Sequence, residues 1–319
     1  MDLTDAYLQM SIATSTQRNY AAAVRSFKDF CHHHSIQAFP PAEDTLMAYA
    51  THLASHSSHS NIKVHLSAIK FSTIIQSMAF PTSQKLYLLV RGIRRSQGRL
   101  HSLPPRSPVT PLLLQKIYCN LFNSSRPHED KLMLWAALTT AFFGFLRVSE
   151  YTSTHRTKFD PDITLLYSDI SIDGEVLSLA IKISKTDPFR QGMTIRLAAN
   201  NTFLCPVKAI RLWLVEHPTK SGPLFVFQDR KYLTPKEVNA LLVDTTDGMA
   251  SMSSHSLRIG AASTAASMGC PRWLIQTLGR WTSDCYRRYI RLSTHTLINT
   301  SHVMAECTKS VAEGFDPLD

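Results

Sequence analysis

Apolar residues recur at helical spacing through the first hundred positions, where strand-like alternation is absent. Two such runs are Tyr20, Val24, Phe27, Phe30 and Leu46, Tyr49, Ala50, Leu53. A third run lies in 61–78, with Ile62, Leu66 and Ile69 on one face. Spacings of three and four residues indicate amphipathic helices, so the pattern predicts a small helical bundle, with Thr16 and Asp44 as helix N-caps.

The composition changes between residues 96 and 111. This stretch has the sequence SQGRLHSLPPRSPVTP, rich in Ser, Gly, Arg and Pro. Such a composition opposes a continued helix and predicts an extended, basic connector between two domains. We therefore expect one domain over 1–103 and a second over 104–319.

The second part begins with apolar helical patterns over 112–122 and 131–146 and then changes period. Apolar residues alternate with less apolar ones over 177–184, after an Asp173-Gly174 hairpin turn, and Met193, Ile195 and Leu197 alternate in the same way. The alternation predicts two strands of a small antiparallel sheet with Lys185 at the turn between them. Helical patterns return over 206–216 and after Thr234. The fold class predicted is therefore mainly α: a helical bundle followed by an α+β domain.

Composition and charge limit the class of protein. The 319 residues are 44% hydrophobic and 18% charged, and the formal net charge is +10. These values favour packed cores over disorder and a polyanionic partner such as nucleic acid, although a basic balance can also serve solubility alone. The most apolar run, 134–146, is shorter than the roughly 20 residues of a membrane span. The first residues lack a secretory signal pattern, so we expect a protein that is not secreted: nuclear if eukaryotic, cytoplasmic if prokaryotic.

Candidate chemistry is concentrated near the C-terminal end. His255 and Arg258 are three residues apart and would share a helix face, and small residues follow them over 260–266. The tripeptide Gly279-Arg280-Trp281 comes next, and then Tyr286 and Tyr289 among four arginines. A tyrosine that attacks a phosphodiester needs fixed cations around the phosphorus and proton donors for the leaving oxygen. Each of these groups has a candidate here.

Arg147 follows an apolar helical pattern, where an unpaired guanidinium would be costly. It must meet either a carboxylate such as Glu150 or a bound phosphate, and the residues alone favour neither. No cluster of acidic metal ligands and no Gly-x-x-x-x-Gly-Lys nucleotide loop is evident in the sequence.

Taken in order, residues 144–150, Lys185, His255-x-x-Arg258, 279–281 and Tyr289 resemble the tyrosine recombinase, or phage integrase, family. Residues 14–30 and 42–71 are also similar to its helical, SAM-like core-binding domain, and the catalytic domain would begin near Val109. The ending Gly-Arg-Trp-x-Ser-Asp with Tyr-Ile-Arg is most similar to recombinases of eukaryotic Crypton and DIRS mobile elements.

The resemblance implies a role for each candidate. Its catalytic residues would be Arg147, Lys185, His255, Arg258, Trp281 and Tyr289. Arg147 and Arg258 would hold the scissile phosphate, with Glu150 orienting Arg147, and His255 would transfer a proton or donate a hydrogen bond. Lys185 would protonate the leaving 5′ oxygen, with Lys182 as the alternative and a solvated surface lysine as the ordinary interpretation.

Trp281 occupies the place of a second histidine in many family members, and an indole can donate a hydrogen bond but cannot relay a proton. It could equally be a core tryptophan. Tyr289 would be the nucleophile, and Tyr286, three residues earlier, is the alternative. Cations expected to contact the DNA backbone are Arg18, Arg25, Lys63, Lys70, Arg280, Arg288 and Arg291, although isolated surface cations are most often simply solvated.

The function implied is cleavage and rejoining of DNA through a 3′-phosphotyrosine, without metal, ATP or other cofactor. The pattern over 292–312 predicts a last helix that by resemblance would dock on a neighbouring copy. The partners implied are double-stranded DNA and three further copies, a homotetramer on two DNA sites that is a monomer or dimer when free, with no membrane. The alternatives are a recombinase-derived protein that binds DNA without cutting it and a type IB topoisomerase-like enzyme.

Overall fold

The computed structural model describes residues 3–100, 106–184, 187, 189–217, 221–245, 251–291 and 298. The chain divides into two compact units, Met1–Pro104 and Pro105–Asp319. The boundary expected from sequence, after residue 103, lies beside this division.

The first unit is a helical bundle, as predicted. Its helices are α1 Leu3–Met10, α2 Thr14–His33, α3 Glu43–Ala54, α4 His59–Ile75 and α5 Gln84–Leu100. α2 packs against α4, and α3 packs against α4 and α5. Phe27, Leu46, Tyr49, Ile62 and Ile69 form a core that is fully shielded from solvent. The three apolar stripes identified in the sequence therefore face one another.

Two local expectations in this unit were wrong. Ala13 and Ala42, not Thr16 and Asp44, precede α2 and α3. The connector predicted from residue 96 is instead the last turn of α5, which runs to Leu100. Gln97 explains this, because its side chain accepts from the His59 N–H at 2.6 Å and donates to the carbonyls of Ala54 and Ser57. Tertiary contacts thus override the poor helix propensity of the Ser and Gly residues.

The second unit contains seven helices and three strands among the residues that the structure describes. The helices are α6 Pro111–Asn123, α7 His128–Phe143, α8 Val148–Tyr151, α9 Pro206–Glu216, α10 Pro235–Thr245, α11 His255–Ser267 and α12 Arg272–Leu278. Short 3-10 helices cover Tyr167–Asp169 and Asp284–Arg288. α7 is buried along 132–142 and packs against α9 and α11, so it forms the centre of this unit.

The strands are β1 Ile170–Asp173, β2 Val176–Ile181 and β3 Met193–Ala198. They form an antiparallel sheet in the order β1-β2-β3, with Leu179 opposite Ile170 on one side and Ile195 on the other. Gly174 has a φ of +49° at the β1–β2 turn, a conformation that glycine adopts without strain. The predicted fold class, mainly helical with a small antiparallel sheet, is confirmed.

Pro235 begins α10 as predicted, and the Thr234 N–H donates to Glu237 Oε2 at 2.9 Å. Within the described ranges, no helix is long and apolar enough to span a bilayer.

Candidate active site

α7 ends three residues before the predicted position because the chain turns at Phe145. Phe145 has a φ of +49°, in the left-handed region that non-glycine residues rarely adopt. The expectation that Arg147 ends the apolar helix is therefore wrong: Arg147 is the N-cap of the short helix α8. The turn leaves the Phe145 carbonyl as acceptor for two guanidinium groups, those of Arg258 and Arg280.

Glu150 joins two arginines at the centre of the site. Its Oε1 accepts from Arg147 Nη1 at 3.0 Å, and its Oε2 accepts from Arg280 Nη2 at 2.8 Å and from the Arg147 backbone N–H at 2.8 Å. The carboxylate is 2% exposed. A carboxylate at this depth is stable only when cations and hydrogen-bond donors surround it. Of the two partners considered for Arg147, Glu150 is thus the one within the protein.

α11 brings His255 and Arg258 to the same region, as their spacing predicted. Its packing is close: a Cβ added at Gly260 would lie 1.8 Å from the Val109 carbonyl oxygen. Only glycine fits there, which confirms the tight packing expected of this small-residue stretch.

Arg258 is 1% exposed, and its two terminal nitrogens donate to the carbonyls of Phe145 and Gly279. Its guanidinium carbon lies 4.3 Å from the centre of the Trp281 ring, a cation–π contact. Burial, followed by the nearby charges of Arg147 and Arg280, lowers the pKa of Arg258 to about 9. The group therefore stays protonated at neutral pH, in a setting of low dielectric.

Trp281 combines the two interpretations that the sequence left open. It is 5% exposed and belongs to the core of the second unit. Its ring also lies 4.7 Å from the ring of Tyr289. It therefore supports the phenol from behind.

Tyr289 is half-buried and follows the Asp284–Arg288 helix as its C-cap. Its ring centre is 5.0 Å from that of His255, and the Arg258 guanidinium carbon lies 5.7 Å from it. Ser263 on α11 anchors this segment, because its hydroxyl donates to the Tyr289 carbonyl at 3.1 Å and accepts from the Arg291 N–H at 2.9 Å.

Tyr286 has different surroundings from Tyr289. It is 3% exposed, packs in the hydrophobic core and lies 6.4 Å from Trp281 between ring centres. The geometry therefore sets Tyr289, and not Tyr286, beside His255. The identity of a nucleophile stays a prediction.

Lys185 lies outside the described residues, so its predicted role rests on sequence. The alternative, Lys182, forms an ion pair with Asp169 at 2.5 Å and lies 3.5 Å from the Thr164 carbonyl oxygen. This engagement opposes a role in proton transfer. An open cavity of about 390 Å³ lies next to Trp281, lined by Ser184, Asp187 and Met193 on one side and by Trp273 and Gln276 of α12 on the other.

The cations expected to contact DNA fall into three groups. Arg18 and Arg25 on α2, and Lys63 and Lys70 on α4, are exposed, and each pair is seven residues apart and so on one helix face. Arg288 is exposed, and Arg291 is half-buried with its Nη1 donating to the Arg288 carbonyl. Arg280 departs from the expected surface set, because its side chain is 5% exposed and paired with Glu150. It is a buried cation of the site.

Sequence reasoning missed the carbonyl acceptors of Phe145 and Gly279 and the anchoring hydroxyl of Ser263. No residue-type signal marks a backbone carbonyl as a ligand for guanidinium. Ser263 could have been singled out as the polar residue inside the small-residue run 260–266.

The sequence matches no family model and no curated protein. Solved structures are similar to it at low identity. The XerH site-specific recombinase in a post-cleavage complex with palindromic difH substrate has a TM-score of 0.61 at 14% identity, covering 88% of this chain and 76% of that one. The Tn1549 transposon integrase in complex with transposon right end DNA has a TM-score of 0.61 at 12% identity, covering 92% and 95%.

A lambda integrase dimer bound to a COC′ core site has a TM-score of 0.57 at 16% identity, covering 90% of this chain and 75% of that one. These likenesses extend over both units of the chain. The protein has the tyrosine recombinase fold.

Proposed function

We propose that this protein is a site-specific DNA recombinase that cleaves and rejoins DNA through a 3′-phosphotyrosine. The observation that supports this most strongly is the half-buried phenol of Tyr289 beside His255 and Trp281, over a cluster of three arginines, in the tyrosine recombinase fold. The +10 charge of the chain suits a polyanionic substrate.

In the proposed reaction the Tyr289 oxygen attacks the phosphorus, and the bond from phosphorus to the 5′ oxygen breaks. The phenolic proton leaves to His255 or to solvent, and the departing 5′ oxygen takes a proton, which we assign to Lys185. A 5′ hydroxyl of another strand then attacks the phosphotyrosine, restores the phosphodiester and returns the tyrosine. The number of phosphate ester bonds is unchanged, so the exchange needs neither ATP nor a metal.

The arginines would stabilise the charge that develops on the nonbridging oxygens. Arg147 is the most accessible of the three, with a side chain 15% exposed, whereas Arg258 is 1% exposed. We therefore assign direct phosphate contact first to Arg147, with Arg258 adding positive potential from below. Fixed cations in a site that excludes water need little reorganisation during the reaction.

The partners we propose are double-stranded DNA and further copies of this chain. XerH is bound to difH substrate, the Tn1549 integrase to transposon right end DNA and lambda integrase to a COC′ core site as a dimer. For this chain we propose a tetramer on two DNA sites, linked by residues 292–312, which lie outside the described residues. The Gly279-Arg280-Trp281 motif favours a mobile element of the Crypton or DIRS type, and hence a nuclear protein.

The test is capture of the covalent intermediate. A library of nicked duplexes of random sequence would be incubated with the protein, and the DNA ends that remain attached after denaturation would be sequenced. We expect a defined attachment site for wild type and for Tyr286→Phe, and no attachment for Tyr289→Phe, which should still bind DNA.

Other outcomes assign other functions. Sequence-selective binding by wild type without attachment would leave a DNA-binding protein that no longer cuts. Relaxation of supercoiled plasmid by the monomer, without strand exchange, would indicate a type IB topoisomerase-like enzyme.

A further inference from the structure

The side chain of Arg280 is 5% exposed and bridges the two halves of the candidate site. Its Nη2 donates to Glu150 Oε2 at 2.8 Å and to the Phe145 carbonyl at 2.9 Å. Each acceptor is shared with another arginine: Glu150 with Arg147, and the Phe145 carbonyl with Arg258. A single nitrogen is thus one hydrogen-bond acceptor away from both of the cations assigned to the phosphate.

The charge balance of this group favours an anion. Three guanidinium groups surround one carboxylate, and all but Arg147 are almost fully buried. Burial lowers the pKa of Arg280, and the negative charge of Glu150 opposes that change. Such a cluster repels itself unless the positions of its members are fixed, and it gains from a phosphate that lies between them.

The backbone fixes Arg280 in an unusual way. Arg280 has a φ of +54°, in the same left-handed region as Phe145, the residue whose carbonyl it contacts. The preceding residue must be glycine, because a Cβ at position 279 would lie 1.7 Å from the Trp281 ring. The end of α12 therefore sends Arg280 inward to Glu150 and sets Trp281 against Tyr289. Residues held in disfavoured conformations cluster at functional sites.

We propose that Arg280 is a positioning residue, which fixes Arg147 through Glu150 and Arg258 through the Phe145 carbonyl, so that the two act together on one phosphate. The proposal rests on the function proposed above. Lysine would keep the charge, but its shorter side chain and single nitrogen cannot reproduce the reach of the guanidinium.

The first test needs no DNA. In protein labelled with [15N]arginine, the side-chain Nε–H signals of Arg147 and Arg258 would be assigned from Arg147→Lys and Arg258→Lys. We expect both signals to shift in Arg280→Lys and to shift further in Arg280→Met. Arg272→Met, at the exposed start of the same helix, should leave both signals in place. Unchanged Arg147 and Arg258 signals in Arg280→Lys would overturn the proposal, and this variant decides the matter if Arg280→Met does not fold.

The second test measures cleavage at saturating DNA on the attachment site found above. Arg280→Lys should slow cleavage on the order of 10- to 100-fold, the range for groups that orient a functional side chain, with unchanged DNA affinity. The loss should shrink on a methylphosphonate at the scissile position, which carries no negative charge, and should not add to the loss in Arg147→Lys.

A wild-type cleavage rate in Arg280→Lys, or equal losses on both substrates that add to those of Arg147→Lys, would overturn the positioning role. Absence of cleavage by wild type would be a failure of the proposed function instead, and the arginine signals would still decide whether Arg280 orients its neighbours.

Discussion

The ring of Tyr289 lies 5.0 Å from the ring of His255, with an angle of 57° between the two planes. The histidine is the first residue of α11, and Ser263 of the same helix holds the Tyr289 backbone. One helix thus carries the imidazole, the buried Arg258 and the anchor of the phenol. A proton acceptor that shares a rigid support with a nucleophile can act on it with little reorganisation.

Glu150→Gln tests the buried charge network. Removing the carboxylate charge leaves Arg280 without its buried counter-ion, so we expect a loss of about 3–5 kcal/mol in the free energy of unfolding. The matched control is Asp284→Asn, whose ion pair with Arg287 at 3.0 Å is more than half exposed on both sides. That change should cost no more than about 0.5 kcal/mol. Urea titration of the full chain measures both; equal effects would contradict the role given to Glu150.

Gly260→Ala tests the packing that supports Arg258. The new Cβ would meet the Val109 carbonyl oxygen at 1.8 Å, and backbone cannot yield as a flexible side chain can. We expect destabilisation of more than about 3 kcal/mol. The control is Gly98→Ala in α5, where no heavy atom lies within 4 Å. Alanine there should stabilise the chain by about 0.5–1 kcal/mol. Thermal unfolding of the two variants should move in opposite directions.

The first unit should lose stability in mild acid. His65 accepts or donates a 2.7 Å hydrogen bond with the Tyr49 hydroxyl, and burial, followed by the charge of His56, lowers its pKa. The unfolded chain therefore binds the proton more readily, so stability falls as pH decreases below about 6.5. Burial, followed by the charges of Arg94 and Lys63, also lowers the pKa of His59, which adds to the effect.

Amide hydrogen exchange of α2 and α4 in the full chain, at pH 7.5 and 5.5, measures this dependence. His65→Gln should reduce it, whereas His32→Gln, at an exposed position, should leave it unchanged. A His65→Gln variant with the full wild-type pH dependence would be evidence against a protonation penalty at His65.

DNA binding should weaken steeply with salt, and the exposed cations of α2 and α4 should contribute to that slope. Each lysine that contacts a phosphate adds about 0.9 to the slope of log K against log salt, so Lys63→Gln with Lys70→Gln should reduce it by about 1.8. Arg156→Gln is the control, because Arg156 already pairs with Asp229 and Glu237. Fluorescence anisotropy across a salt series measures the slopes. A slope in the lysine variant equal to that of wild type would remove these residues from the interface.

The sequence predicted the elements whose signal is local. The α2 and α3 stripes, the β2–β3 alternation and the start of α10 at Pro235 were all found from spacing and turn residues. The end of α5 was not, because Gln97 gains its partners from residues about forty positions away. Propensity describes a segment alone, and such contacts decide where it stops.

The site was predictable in its list of residue types but not in its connections. The spacing of His255 and Arg258 indicated a shared helix face, and Glu150 was the obvious carboxylate for Arg147. The inward turn of Arg280 could not be foreseen, since it depends on positive φ values at Arg280 and Phe145 that only the tertiary structure stabilises. This is why a residue expected on the surface is buried at the centre of the site.

The central claim is that Tyr289 becomes covalently joined to DNA, and peptide mapping of the adduct tests it most directly. Trypsin cleaves after arginine, so it places the two tyrosines on different peptides: Tyr286 on 281–287 and Tyr289 on 289–291. After nuclease digestion, mass spectrometry should find the nucleotide mass on 289–291 alone. A nucleotide on 281–287, or on neither peptide of an adduct-competent preparation, would contradict the account.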